Sequence, residues 1–275
     1  MTDTIAPTQS ASSPLPERTS WFLPHRIVMI AIFVGLVVLA ALTMRWDWLP
    51  QYRNELIAGV GRSLLMLFSS AGVGIVFAIL LGLAQVAGPK PLGWLAAGFC
   101  GIIRGTPLLL QLWLIYYGVG SIIAEHRLYL KEEWPTLFYY SRQSWIYGFA
   151  ALTISFAAYE GEIMRGALKG VPRGELEAAT AYGMGRWTMF RRIWLPRAIQ
   201  RALPTLNGET VLQLKATPLV ATITVMDVYG VINKVKSATL LTYEPLLLLA
   251  LVYMILTGIL VGVFRYFENR IPAKR

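Results

Sequence analysis

Residues 177–196 read EAATAYGMGRWTMFRRIWLP and lie between two strongly apolar runs. With one carboxylate and three arginines the stretch is too polar to span a bilayer, and its punctuation is too regular for an ordinary loop. Just upstream, residues 171–176 read VPRGEL. Pro172 suits a first helical turn, and Glu175 and Glu177 put negative charge where the helix dipole favours it. Ala178, Ala179 and Ala181 are strong helix formers, and Gly183 or Gly185 supplies the left-handed residue that ends helices. These features predict a helix of about nine residues, about 13 Å long. After it, Trp187, Phe190 and Trp194 recur at i, i+3 and i+7 with Arg186, Arg191 and Arg192 between them. That pattern predicts an amphipathic helix at the membrane interface. Pro196 and Pro204 are expected to bend the chain back toward the next apolar run. A nine-residue helix is marginal in water by itself. Either it is a packed connector, or a soluble partner covers it.

The 275-residue chain is 56% hydrophobic and only 15% charged, with a mean hydropathy of +0.54. A soluble domain is usually about 45–50% apolar and about 25% charged, so this composition is that of an integral membrane protein. Residues 1–26 are rich in Ser, Thr and Pro and predict a disordered arm. Six apolar runs follow, at 27–43, 63–87, 91–120, 143–159, 210–226 and 245–264. Each is close to the roughly 20 residues that cross about 30 Å of hydrocarbon, and helices satisfy their own backbone polar groups there. A cleavable leader is the rival reading of 27–43; the long polar stretch before it favours a retained helix. The expected fold is therefore an all-α membrane protein of about six transmembrane helices.

The net charge of +10 reflects loop chemistry rather than nucleic-acid binding, because cytoplasmic loops of membrane proteins gather Lys and Arg. With the amino terminus inside, fifteen basic residues fall on the inner side and eight on the outer. Both termini and the 177–196 segment are then cytoplasmic. The single Cys100 excludes an internal disulfide.

The pattern Glu177-Ala178-Ala179, Gly183, Ile193-x-Leu195-Pro196 resembles the EAA motif of permease subunits in bacterial ABC importers. Residues 102–118, IIRGTPLLLQLWLIYYG, are similar to the RGTP…Q segment of polar amino-acid permeases of the histidine and arginine type. Residues 212–228, LQLKATPLVATITVMDV, resemble the K-x-T/S-x-L region of the same group. The resemblance spans roughly residues 62–270. It implies a five-helix permease domain over 60–270 with a cytoplasmic coupling loop at 166–204, and makes 27–44 an added helix. It also implies a second permease subunit, identical or homologous, a dimer of cytoplasmic ATPase subunits that bind ATP, and a periplasmic protein that delivers the amino acid. In that scheme Glu177 contacts the ATPase, Ala178 and Ala179 allow close approach, and Gly183 ends the helix sharply. Ile193, Leu195 and Pro196 complete the motif.

Ionisable groups within the spans are costly and point to the translocation path. Arg104 precedes Gly105-Thr106-Pro107, which must bend or interrupt its helix, so that backbone lines a cavity rather than lipid. Arg104, Thr106, Gln111, Glu160, Lys215 and Thr217 are the candidates for the path. Glu160 replaces a residue expected to be uncharged, and would favour a cationic amino acid or neutralise Arg104. Glu162 stands three residues before Arg165 and pairs with it structurally. The sequence contains no phosphate-binding loop, no metal-ligand spacing and no nucleophile elbow. The chain therefore reads as a non-enzymatic subunit without cofactor or metal. A self-sufficient ion-coupled carrier is the alternative, although such a carrier has no need of a short docking helix.

Overall fold

The computed structural model describes residues 24–126 and 131–270. The arm expected over 1–26 lies outside the described residues except at its last three. The chain forms two units, Met1–Asp47 and Trp48–Arg275. The first contributes one apolar helix, α1 (Pro24–Thr43), closed at its end by the Thr43 hydroxyl, which donates to the Leu39 carbonyl at 2.7 Å.

The second unit begins with α2 (Leu49–Ala87), 39 residues long and so about 58 Å. It starts fourteen residues before the expected span at 63–87 and outruns the bilayer core. α3 (Lys90–Gly105) and α4 (Leu108–Glu125) divide the run expected over 91–120. The break falls at Thr106, which is extended (φ −114°, ψ 141°), the region that Pro107 favours for the residue before it. A π-helical turn at Leu114–Val119 lies inside α4. α5 (Pro135–Ser141) leads to α6 (Ser144–Lys169). The short α7 (Arg173–Ala181) precedes the long α8 (Arg186–Ile223). α9 (Val228–Thr239) and α10 (Tyr243–Arg270) complete the unit.

Among the described residues α2, α4 and the stretch Tyr243–Glu268 are each long and apolar enough to cross a membrane, and α8 with α9, bent by 51°, make a fourth candidate. α6 is long enough but carries Glu160, Glu162 and Arg165, and it is shielded by packing instead. It runs parallel to α2: a Cβ at Gly148 would meet Met66 and Val220, one at Gly74 would meet Phe156, and one at Gly82 would meet Met164. Residues i and i+82 therefore face each other along the pair. The reason is a stripe of small residues: Gly59, Ser63, Ser70, Gly74, Ala78 and Gly82 are all buried on one face of α2. Without a hydrophobic driving force inside lipid, helices associate where small side chains let backbones approach.

The structure corrects the expected bend after the aromatic segment. Pro196 and Pro204 do not turn the chain, and the amphipathic stretch continues as one helix into the next span. Pro196 sits at the first residues of the α-helical part of α8, just after a π turn at Phe190–Trp194, and Pro204 is held within the helix interior. The wider π turn reorganises the hydrogen-bond ladder ahead of the first proline, so the missing N–H and the ring are accommodated there.

At the far end, α9 packs on the projecting part of α2. The buried Asp227 accepts from the Gly230 N–H at 2.8 Å as the α9 N-cap, and Ser63 Oγ accepts from Val228 N at 3.2 Å. Lys234 and Glu55 pair at 2.8 Å. A Cβ at Gly59 would lie 2.9 Å from the Val228 Cα, and a backbone atom cannot step aside as a flexible side chain can. Gly59→Ala is therefore expected to destabilise the unit by about 1–3 kcal/mol, the usual cost of overpacking. The check is a lower melting temperature in detergent.

Candidate functional site

Two features stand out, and both lie toward the end of the bundle where α2 and α6 finish. The first is α7. Its inward face is held by Ala179, which is buried, and by Leu176, which packs on the cluster of Met164, Leu168, Val171 and Ala198. Glu175 in its first turn accepts from Arg197 Nε of α8 at 2.9 Å. Trp194 Nε1 donates to the Leu168 carbonyl at 2.9 Å, tying α8 to the end of α6. The helix stops because Gly183 takes φ +74°. Tyr182 N, Gly183 N and Met184 N then donate to the carbonyls of Ala178, Thr180 and Ala179 at 2.9–3.1 Å. These bonds satisfy the carbonyls that a helix end leaves free.

The outward face of α7 is open. Glu177 and Ala178 are exposed, as is Pro196, and Tyr182 is 86% exposed. A cavity of about 570 Å³ lies beside the helix, lined by Ala178, Tyr182, Met184, Ile193 and Pro196 among others. Ile193 and Leu195 are half-buried. Thus the motif divides: Ala179, Ile193 and Leu195 anchor the segment, while Glu177 and Ala178 face outward.

The second feature is a charged cavity of about 660 Å³, lined by Gln85, Lys90, Arg104, Glu162, Arg165 and Lys169 among others. Glu162 Oε2 lies 2.7 Å from Arg165 Nη2 and 3.9 Å from Arg104 Nη1. The expected pairing of Glu162 with Arg165 is present, and Arg104 joins it. The Arg104 guanidinium also lies 5.5 Å from the centroid of the Tyr159 ring. The Arg104 side chain is 44% exposed.

The six path candidates do not converge on one point. Arg104 lines the cavity. Thr106 and Gln111 meet at the helix break, where Gln111 Nε2 donates to the Ile103 carbonyl (2.6 Å), the Thr106 carbonyl (3.0 Å) and Thr106 Oγ1 (2.9 Å). Their geometry holds the interrupted turn together. Glu160 is fully buried, with neither carboxyl oxygen hydrogen-bonded among the described residues, and Arg104 meets Glu162 rather than Glu160. Lys215 is exposed on α8. Thr217 is buried, with its hydroxyl 3.0 Å from that of Tyr253 on α10. Sequence reasoning missed the partnership of Arg104 with Tyr159 and Glu162, which bridges 55 and 58 residues. Its only local signal was the i, i+3 pairing of Glu162 with Arg165. Among the described residues no group of three or more His, Cys, Asp or Glu could hold a metal ion.

Residues 74–272 match the family described as binding-protein-dependent transport system inner membrane component. The chain is 38% identical over 216 residues to the octopine transport system permease protein OccM of Rhizobium radiobacter, covering 78% of this chain and 84% of that one. It is 34% identical over 223 residues to the histidine/lysine/arginine/ornithine transport system permease protein HisM of Salmonella typhimurium, covering 81% and 91%. Among solved structures it resembles an amino acid ABC transporter determined with histidines, with a TM-score of 0.68 and 28% identity over 83% of this chain and all of that one. The inward-facing MetNI methionine ABC transporter shares the fold at a TM-score of 0.61 and 16% identity.

Proposed function

We propose, from the premise that this chain belongs to the family of inner-membrane components of binding-protein-dependent transport systems, that it carries basic L-amino acids inward as the permease subunit of an ATP-driven importer. The family is a transport component and not an enzyme family. The observation that carries the substrate class is the likeness to a permease named for histidine, lysine, arginine and ornithine. An amino acid presents a carboxylate and an ammonium group a few ångströms apart. Arg104 and Glu162, 3.9 Å apart at a cavity wall, offer the complementary charges, with the Tyr159 ring beside them.

In this reading α7 is the coupling helix. Its exposed Glu177, Ala178 and Tyr182 meet the ATPase subunits, which bind the ATP, and Gly183 fixes where the helix ends. Nucleotide-driven motion of the ATPase dimer passes through Leu176 and Ala179 to the ends of α6 and α8. A shift between outward- and inward-open states needs such a differential contact. The permease domain extends over 60–270 with the loop 166–204 facing the cytoplasm, consistent with its basic residues. A second permease subunit and a periplasmic amino-acid-binding protein complete the assembly. No observation favours a stand-alone ion-coupled carrier, for which α7 has no use.

The test is uptake by proteoliposomes holding the chain with its partner subunits and binding protein. Labelled arginine is expected to accumulate only with internal ATP and to be displaced by unlabelled lysine or ornithine. Equal displacement by leucine would remove the basic-substrate assignment.

A further inference from the structure

An apolar groove of about 1100 Å³ opens where α2 ends, α3 begins and α8 starts. Its walls include Leu80 and Ala84 of α2, Leu95 and Phe99 of α3, and Trp187 and Phe190 of α8. Leu95 is 72% exposed and Trp187 is 70% exposed. A surface this open and this apolar belongs in hydrocarbon. The Trp187 and Phe190 rings, stacked at 5.7 Å, put its mouth at the headgroup boundary, where aromatic faces of interfacial helices sit. Charge at that mouth has one sign. Arg186 is the one charged residue among those lining the groove. It has no ion pair among the described residues.

We infer that the groove holds the acyl chains of an anionic phospholipid whose phosphate sits on Arg186. Basic sites at the cytoplasmic ends of membrane helices recognise such headgroups. The lipid would fill the space between the α2–α3 corner and the first turns of α8, and those turns directly follow α7. An occupied groove therefore braces the coupling segment against the bundle, and an empty one leaves the exposed Trp187 ring without support. The inference rests on the proposed cytoplasmic placement of this end, but its test reads lipid and not transport, so the two can fail separately.

The test uses the full-length chain, purified with the subunits that accompany it and exchanged into nanodiscs of equal phosphatidylglycerol and phosphatidylcholine. Native mass spectrometry then counts the lipid retained. The wild type is expected to keep phosphatidylglycerol over phosphatidylcholine by about fivefold, the scale of one basic contact at a membrane surface. Arg186→Gln should bring the ratio near parity and Arg186→Lys should keep it. Ala84→Trp, which fills the groove, should shed both lipids. Equal retention of the two lipids by the wild type would overturn the inference, as would an unchanged ratio in Arg186→Gln. Displacement by inorganic phosphate would reassign the site to a soluble anion. No retained lipid in the wild type would mean that a protein segment fills the groove.

Discussion

Gly183→Asp is expected to lower binding-protein-stimulated ATP hydrolysis and uptake at least about tenfold, the effect of some 1.4 kcal/mol on a single coupling contact, while the chain stays folded and inserted. The argument is local. Gly183 has φ +74° and open space where a Cβ would stand, so the substitution meets no steric wall. Its cost is the left-handed conformation, about 1–2 kcal/mol for ordinary residues and less for Asp or Asn. A carboxylate at a helix C-terminus adds an unfavourable dipole contact of about 0.3–1 kcal/mol. Both costs fall on the end of α7, which the inner packing of Leu176 and Ala179 does not touch. Gly183→Asn keeps the tolerated backbone without the charge and should retain most activity. Wild-type rates for Gly183→Asp would move the coupling contact away from α7.

The second large effect is expected at the charged cavity. Arg104→Gln should raise the KM for arginine on the order of 10–100-fold, the loss of about 1.5–3 kcal/mol from one charged hydrogen bond. Glu162→Gln should act in the same direction. The melting temperature should hardly move, because an Arg104 side chain 44% exposed forms a pair of the kind that contributes little to stability. That contrast separates a substrate contact from a brace between α3 and α6. If the melting temperature fell by several degrees while KM stayed constant, Arg104 would be a structural residue.

Much of the architecture was legible because lipid imposes few solutions. The expected apolar runs fall on helices, except that the run at 91–120 is divided between α3 and α4 and the run at 210–226 passes the end of α8 at Ile223; the break at Thr106-Pro107 follows from what proline disfavours in its neighbour. The limits of α7 were also legible, since Glu175 and Gly183 mark a helix by chemistry that acts within a few residues. Pro196 was misread because the π turn before it is a property of the ladder, not of any one residue. The small-residue stripe on α2 was not read from the sequence, nor was the register that sets Gly74 against Phe156. Nothing local brings Arg104 to Glu162, or Asp227 to Ser63, because the first pairing exists only once α3 has packed on α6 and the second only once α9 has packed on α2. Glu160 shows the same limit: an ionisable residue in a span drew attention, yet its carboxyl is enclosed while its neighbour two positions on lines the cavity.

The most direct measurement is co-purification of the tagged chain from gently solubilised native membranes, with ATP hydrolysis assayed on what remains bound. The account predicts a stoichiometric ATPase subunit whose activity rises with a loaded binding protein, and its loss in Gly183→Asp. A chain that purifies alone, inactive toward ATP yet able to move solute in vesicles, would contradict it.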